Sequence, residues 1–225
     1  MNVISAGAAK AVVNAVAAQA GLELGGAFGA VGAMKDKLLA GEPCDVIVLT
    51  RAMLDELANA KLVEDDSIGD LGRVRTGIAA KAGAPLPNIS HAAGLTAALL
   101  EAEAIYVPDL SKSTAGKHVA GMLKALGIAD EVAGRVREFP NGAAAMQAMA
   151  ESHGEFAVGC TQVSEILYTP GVTLVGSLPP EFELATLYSA AVCLRAADPA
   201  EARRFAALLT GHSTQELRAS AGFDL

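Results

Sequence analysis

The first sixty residues repeat one pattern three times: a short apolar run, a turn of small residues, then a segment with apolar positions at helical spacing. Asn2–Ala6 reads as a strand, Gly7-Ala8 as a turn, and Ala9–Ala20 as a helix with Val12, Val13 and Val16 on one face. Leu22–Phe28, broken by Gly25-Gly26, is the second strand. Phe28-Gly29-Ala30-Val31-Gly32 turns into a helix through Met34, Leu38 and Leu39. Gly41-Glu42-Pro43 ends that helix, Cys44–Thr50 has the continuous apolar character of a buried parallel strand, and Arg51–Ala60 is helical through Met53, Leu54 and Leu57. Such alternation predicts a parallel sheet covered by helices on both faces. Right-handed crossovers then bring all three turns to the carboxyl edge, where open α/β sheets bind ligands.

A second run of the same units follows. Its strands are expected at Ala104–Pro108, Arg135–Phe139, Glu155–Gly159 and Val172–Gly176. Its helices are expected over Ala92–Ala102, after Gly116, through Met146 and Met149, and over Thr161–Tyr168. Arg73–Ala80 and the apolar Thr186–Leu194 read as strands crossing between the two runs, and helices Pro199–Leu209 and Ser213–Ala221 close the chain. The expected architecture is α/β and two-lobed, each lobe a mainly parallel sheet flanked by helices. Residues 1–78 plus 191–225 form lobe I and residues 79–190 lobe II, with a ligand cleft between them.

Aromatic residues make up only 4% of the chain, so close packing of small side chains between sheet and helix is expected. A formal charge of −8, without a Lys/Arg cluster, argues against a nucleic-acid partner. No apolar stretch is long enough to span a bilayer. Cys44, Cys160 and Cys193 form no Cys-x-x-Cys pair; Cys44 and Cys193 read as buried thiols. Neither metal-ligand spacing nor a cofactor motif is present, so no metal and no cofactor are expected. Met1-Asn2 runs straight into a strand, which predicts a cytoplasmic protein if Met1 is the native start and a periplasmic one if a signal segment was removed.

Asp109–Val119 carries the most suggestive chemistry. A strand ends, a Ser/Thr-rich loop follows, and Val119, Met122, Leu123 and Leu126 recur at helical spacing. Ser113 or Thr114 is the expected N-cap, placing hydroxyls and free amides at the positive end of a helix. Such a start suits phosphate, carboxylate or another oxyanion. Read alone it is an ordinary capped helix, and it matters only if other helix starts join it.

Fragments spread over nearly the whole chain resemble the molybdate-type substrate-binding proteins of ABC transporters, within the type 2 periplasmic-binding fold. They are Val3-Ile4-Ser5-Ala6-Gly7-Ala8, Phe28-Gly29-Ala30-Val31-Gly32, Leu39-Ala40-Gly41-Glu42-Pro43-Cys44-Asp45-Val46, Ser113-Thr114-Ala115-Gly116, Ser164-Glu165-Ile166-Leu167 and Gly222-Phe223. The resemblance implies two lobes closing on a small oxyanion held by serine hydroxyls, backbone amides and a tyrosine. Here the first serine is replaced by Ala8, the second falls near Val31-Gly32, and Gln162 stands at the tyrosine position. The donors of the Ser113–Gly116 loop and the turn at Asn141-Gly142 remain. A site stripped of its hydroxyl donors loses discrimination for the original ligand, so a small organic acid is expected rather than molybdate.

Two roles follow from that resemblance. As a binding protein, the chain would use Ser5, Gly7, Ala8, Lys10, Ala30, Val31, Ser113, Thr114, Ala115, Asn141 and Gln162 on a di- or tricarboxylate, with Lys112 or Lys117 adding charge. If exported, its partner would be an ABC transporter permease. As an isomerase, similar to the related aconitate isomerases, it would need a base near an acidic C–H. His118, Lys10 and Tyr188 are the candidates for that role, ahead of Glu165 and Cys160. His91, His153 and His212 read as surface residues, and Glu165 reads first as a helix cap or ion-pair partner.

Overall fold

The computed structural model describes every residue of the chain except Glu155. In order, the elements are β1 (Asn2–Ala6), α1 (Lys10–Gln19, entered through a 3-10 turn at Gly7–Ala9), β2 (Gly25–Gly29), α2 (Val31–Leu39), β3 (Val46–Thr50), α3 (Arg51–Asn59) and β4 (Gly69–Lys81). Then come α4 (Ala92–Glu101), β5 (Ala104–Pro108), α5 (Thr114–Ala125), α6 (Ala129–Val132), β6 (Val136–Phe139), α7 (Gly142–Glu151), β7 (Ala157–Gln162), α8 (Val163–Tyr168) and β8 (Val172–Ser177). The chain ends with β9 (Ala185–Val192), α9 (Pro199–Thr210) and α10 (Gln215–Ser220).

Two units emerge: Met1–Val74 with Thr186–Leu225, and Arg75–Ala185. In the first, β1 pairs in parallel with both β2 and β3, and β9 runs antiparallel to β3. The core of this unit is the two-faced apolar run Val46–Leu49 with Val3, Ile4, Val12, Val13, Leu54, Leu57 and Phe205, all at most 1% exposed. In the second, β5 pairs in parallel with β6 and β7, while β4 runs antiparallel to β7 and β8. One face of its sheet is covered by Leu95, Leu99, Val119, Met122 and Leu123; a second cluster gathers Met146, Met149 and Ile166. Tyr106 and Phe139 stack with ring centroids 5.9 Å apart.

The second strand is shorter than the expected Leu22–Phe28. Gly21 sits at φ +67°, the Gly21 amide bonds to the Ala18 carbonyl, and the Leu22 amide to the Ala17 carbonyl. This left-handed cap holds Leu22 against the end of α1, so pairing with β1 begins only at Gly25. Similarly, Thr161 and Gln162 belong to β7 and not to the helix expected from Thr161. The crossover strand expected at Arg73–Ala80 extends to Gly69–Lys81. The strand expected at Glu155–Gly159 appears as β7, with Glu155 outside the described residues.

Candidate functional site

The candidate residues gather at strand ends. In the first unit Ala6 and Gly29 are register partners, and Ser5 lies across from Phe28 on one side and Val48 on the other. The three parallel strands therefore end along one edge, and the helical segments starting at Gly7, Val31 and Arg51 leave from it. Arg51 is the first residue of α3, whose start is capped by the Thr50 hydroxyl, accepting from Met53. The other two starts have no side-chain cap and no acidic residue in their first turn. Ala8, Ala30 and Val31 are buried there, at 5%, 6% and 5% exposure. Ser5 is fully buried, and its hydroxyl donates to the Ala6 carbonyl at 3.0 Å. The Lys10 ammonium lies 5.8 Å from the centroid of the Phe28 ring, a cation–π contact.

In the second unit Pro108 and Phe139 are register partners, and Tyr106 lies across from Gly159. The loops entering α5, α7 and α8 thus share one edge, bringing Ser113, Asn141 and Gln162 to it. Of the two expected caps for α5 the structure selects Ser113: its hydroxyl accepts from the Gly116 amide at 3.3 Å and its carbonyl from the Lys117 amide at 3.0 Å. The amides of Thr114 and Ala115, in the first turn, have no intrahelical acceptor. Asn141 caps α7 by accepting from Ala144 at 2.9 Å. Gln162 is 2% exposed and lies across from Thr76 of β4.

Near Gln162 lie Thr76, Thr161 and Ser164, to which the sequence assigns no role, and Glu165, which it offers as a lesser base candidate and first as a cap. The Thr76 and Ser164 hydroxyls are buried and, among the described residues, have no hydrogen-bond partner. Thr161, fully buried, donates at 2.6 Å to the carboxylate of Glu165, itself only 5% exposed. Burial pushes the Glu165 carboxyl above its ordinary value; the Thr161 hydroxyl and the amides of Ala143, Gly142 and Gln162 pull it back through hydrogen bonds. Glu165 stands three residues after the N-cap Gln162 and reaches back to its amide, one half of a capping box. That spacing is the sequence signal, and the cap reading of Glu165 follows it.

The expected catalytic candidates are dispersed. His118 is half-buried in α5, and its Nε2 donates to the Phe182 carbonyl at 2.7 Å. Tyr188 is 2% exposed in β9 of the first unit, edge-on to Phe223. Cys160 is fully buried, which pushes its thiol up to about 12. His91 caps α4 from the surface, and His153 and His212 are exposed. Among the described residues no group of three or more His, Cys, Asp or Glu could hold a metal, and no helix is long and apolar enough to cross a membrane. Three hollows inside the units, of about 360, 200 and 380 Å³, are lined by none of the candidates.

Residues 1–224 match the family described as bacterial extracellular solute-binding protein, and the chain belongs to it. It is 29% identical over 172 residues to an aconitate isomerase of a Pseudomonas species, covering 76% of this chain and 63% of that protein. The match therefore spans less than two thirds of the isomerase. Among solved structures, the fold is shared with the periplasmic molybdate-binding protein of Azotobacter vinelandii (TM-score 0.78, 18% identity, covering 100% of this chain and 99% of that one). It is shared too with a sulfate-binding protein of Mycobacterium tuberculosis (TM-score 0.72, 20% identity, covering 99% and 85%). The fold is that of the type 2 periplasmic binding proteins.

Proposed function

We propose that this solute-binding protein takes a small di- or tricarboxylate, held by backbone amides at the helix starts that follow its parallel strands. One observation carries the reading: in a chain of net charge −8, the segments starting at Gly7, Val31 and Thr114 have no acid in their first turn. Their positive ends carry no carboxylate in their own first turn, and each follows a strand end, which is the arrangement that attracts anions. Ala8, Ala30 and Val31 supply apolar surface beside the amides, and apolar surface suits the carbon skeleton of an organic acid better than an inorganic oxyanion. Gln162 and the unpartnered hydroxyls of Thr76 and Ser164 add polar groups that can select among acids. In an exporting cell the partner is an ABC transporter permease, and the site of action is outside the cytoplasmic membrane.

A thermal-shift panel of inorganic oxyanions and mono-, di- and tricarboxylates tests the reading. A ligand at 100 times its Kd adds about 2.7 kcal/mol of stability. Di- or tricarboxylates are expected to raise Tm; a large shift with molybdate or tungstate and none with carboxylates would overturn the assignment.

The similarity to an aconitate isomerase favours a second reading, proton transfer within a bound tricarboxylate. His118 is the leading base, because donation by Nε2 to Phe182 leaves Nδ1 of a neutral ring as acceptor. Lys10 and Tyr188 are the alternatives. Incubation with cis- or trans-aconitate in deuterated water, followed by NMR, distinguishes the two: binding without exchange or isomerisation rejects catalysis.

A further inference from the structure

A carboxylate buried to 5% exposure is costly unless donors surround it. Glu165 has a hydroxyl donor in Thr161, and backbone N–H groups from Ala143, Gly142 and Gln162. Backbone amides can only donate, so three of these four partners suit an acceptor with no proton to give. Two of them, Gly142 and Ala143, are the first two residues of α7. The third and fourth amides of that helix are met by Asn141: Ala144 bonds to its side chain at 2.9 Å and Ala145 to its carbonyl at 3.1 Å. All four amides that a helix start leaves unsatisfied are therefore used within the chain. At α5, by contrast, Ser113 meets only those of Gly116 and Lys117.

The space for this arrangement depends on one missing atom. A Cβ on Gly142 would fall 2.0 Å from Oε2 of Glu165 and 2.0 Å from Oγ1 of Thr161. A glycine in a helix is less favourable than alanine, so its place at the head of α7 is explained by the oxygens packed against it.

We propose that Glu165 is the resident anion of the second unit, occupying the start of α7 and closing it to solute. Solute oxygens are then left to the α5 start and to the groups around Gln162, and α7 acts as a support. Asn141, expected from the sequence to face the ligand, serves the helix. This rests on the anion-binding reading above for its consequence, while the occupancy itself is tested without any solute of that class.

Glu165→Ala removes the carboxylate and leaves a formate-sized space lined by amides and the Thr161 hydroxyl. The variant is expected to lose several degrees of Tm. Sodium formate should restore a saturable part of the loss, beyond both the wild type's response to formate and an ionic-strength control with sodium chloride. Subtracting the wild-type response removes binding at any other site, so a failed carboxylate screen and a failed rescue are separate results. A variant as stable as the wild type, or one that formate and chloride affect equally, would overturn the proposal. Should the variant not fold, NMR on the unaltered protein decides. The amide protons of Gly142 and Ala143 must titrate with the midpoint of the Glu165 carboxyl, and independent titration refutes the occupancy.

Discussion

Ala6 and Gly29 end neighbouring parallel strands as direct register partners. Because of that alignment, the segments starting at Gly7 and Val31 leave the same sheet edge side by side, both without a side-chain cap. Pro108 and Phe139 stand in the same relation in the second unit, ahead of α5 and α7. The two edges differ in chemistry: the first is lined with buried apolar residues, the second with capped starts and a buried carboxylate.

Thr114→Asp places a carboxylate on the first residue of α5. A negative charge there interacts favourably with the helix dipole, so stability should be unchanged or raised by about 0.3–1 kcal/mol. Affinity for an anionic solute should fall at least tenfold. Urea denaturation and isothermal titration read the two effects with opposite signs.

Ser113→Ala removes the hydroxyl that accepts from Gly116. Loss of an N-cap costs about 1 kcal/mol, which lowers Tm by about 2–4 °C in a chain of this size. Gly116→Ala should cost more, about 1–3 kcal/mol, since its Cβ would meet the Asp109 carbonyl at 2.1 Å. Thermal unfolding of the two variants gives the order.

Lys61 has φ +58°, with its amide bonded to the Ala58 carbonyl and that of Leu62 to the Leu57 carbonyl. This is the position at which a helix cap prefers glycine. Lys61→Gly should stabilise by about 0.5–1 kcal/mol, relief of left-handed strain outweighing the added freedom of the unfolded chain. A shift of the urea midpoint to higher concentration checks it.

Burial raises the Glu165 carboxyl above the ordinary 4.5. As pH rises from the ordinary value to the raised one, the folded protein keeps a proton that the unfolded chain has lost. The contribution of this group to stability therefore falls with rising pH across that window and is level on either side. The wild type should lose stability relative to Glu165→Gln over the window, read as urea midpoints from pH 4 upwards.

The thiol of Cys160 is pushed up to about 12 by burial, and that of Cys193 is raised by its hydrogen bond to Cys44 and then by burial. At pH 8 the Cys160 thiolate is about one part in ten thousand, so alkylation by iodoacetamide should await opening of the structure. Labelling of Cys160 should follow the urea unfolding curve, with no fast phase in the native protein.

The sequence by itself determined the order of strand, turn and helix, because apolar periodicity and capping residues act over a few positions. Ser113 caps where its spacing places it, and the parallel strand ends follow from the crossover rule. Even so, the local signal misled where a glycine cap held Leu22 to its helix and delayed β2. Contacts across longer spans were decided only by tertiary structure. Arg218, 6% exposed, donates at 2.6 Å to the Leu71 carbonyl 147 residues away. His118 meets Phe182, and Glu165 fills the space that Gly142 leaves open. Each depends on which helices pack beside which strand ends. No periodicity encodes that choice, since it is set by the packing of the whole unit.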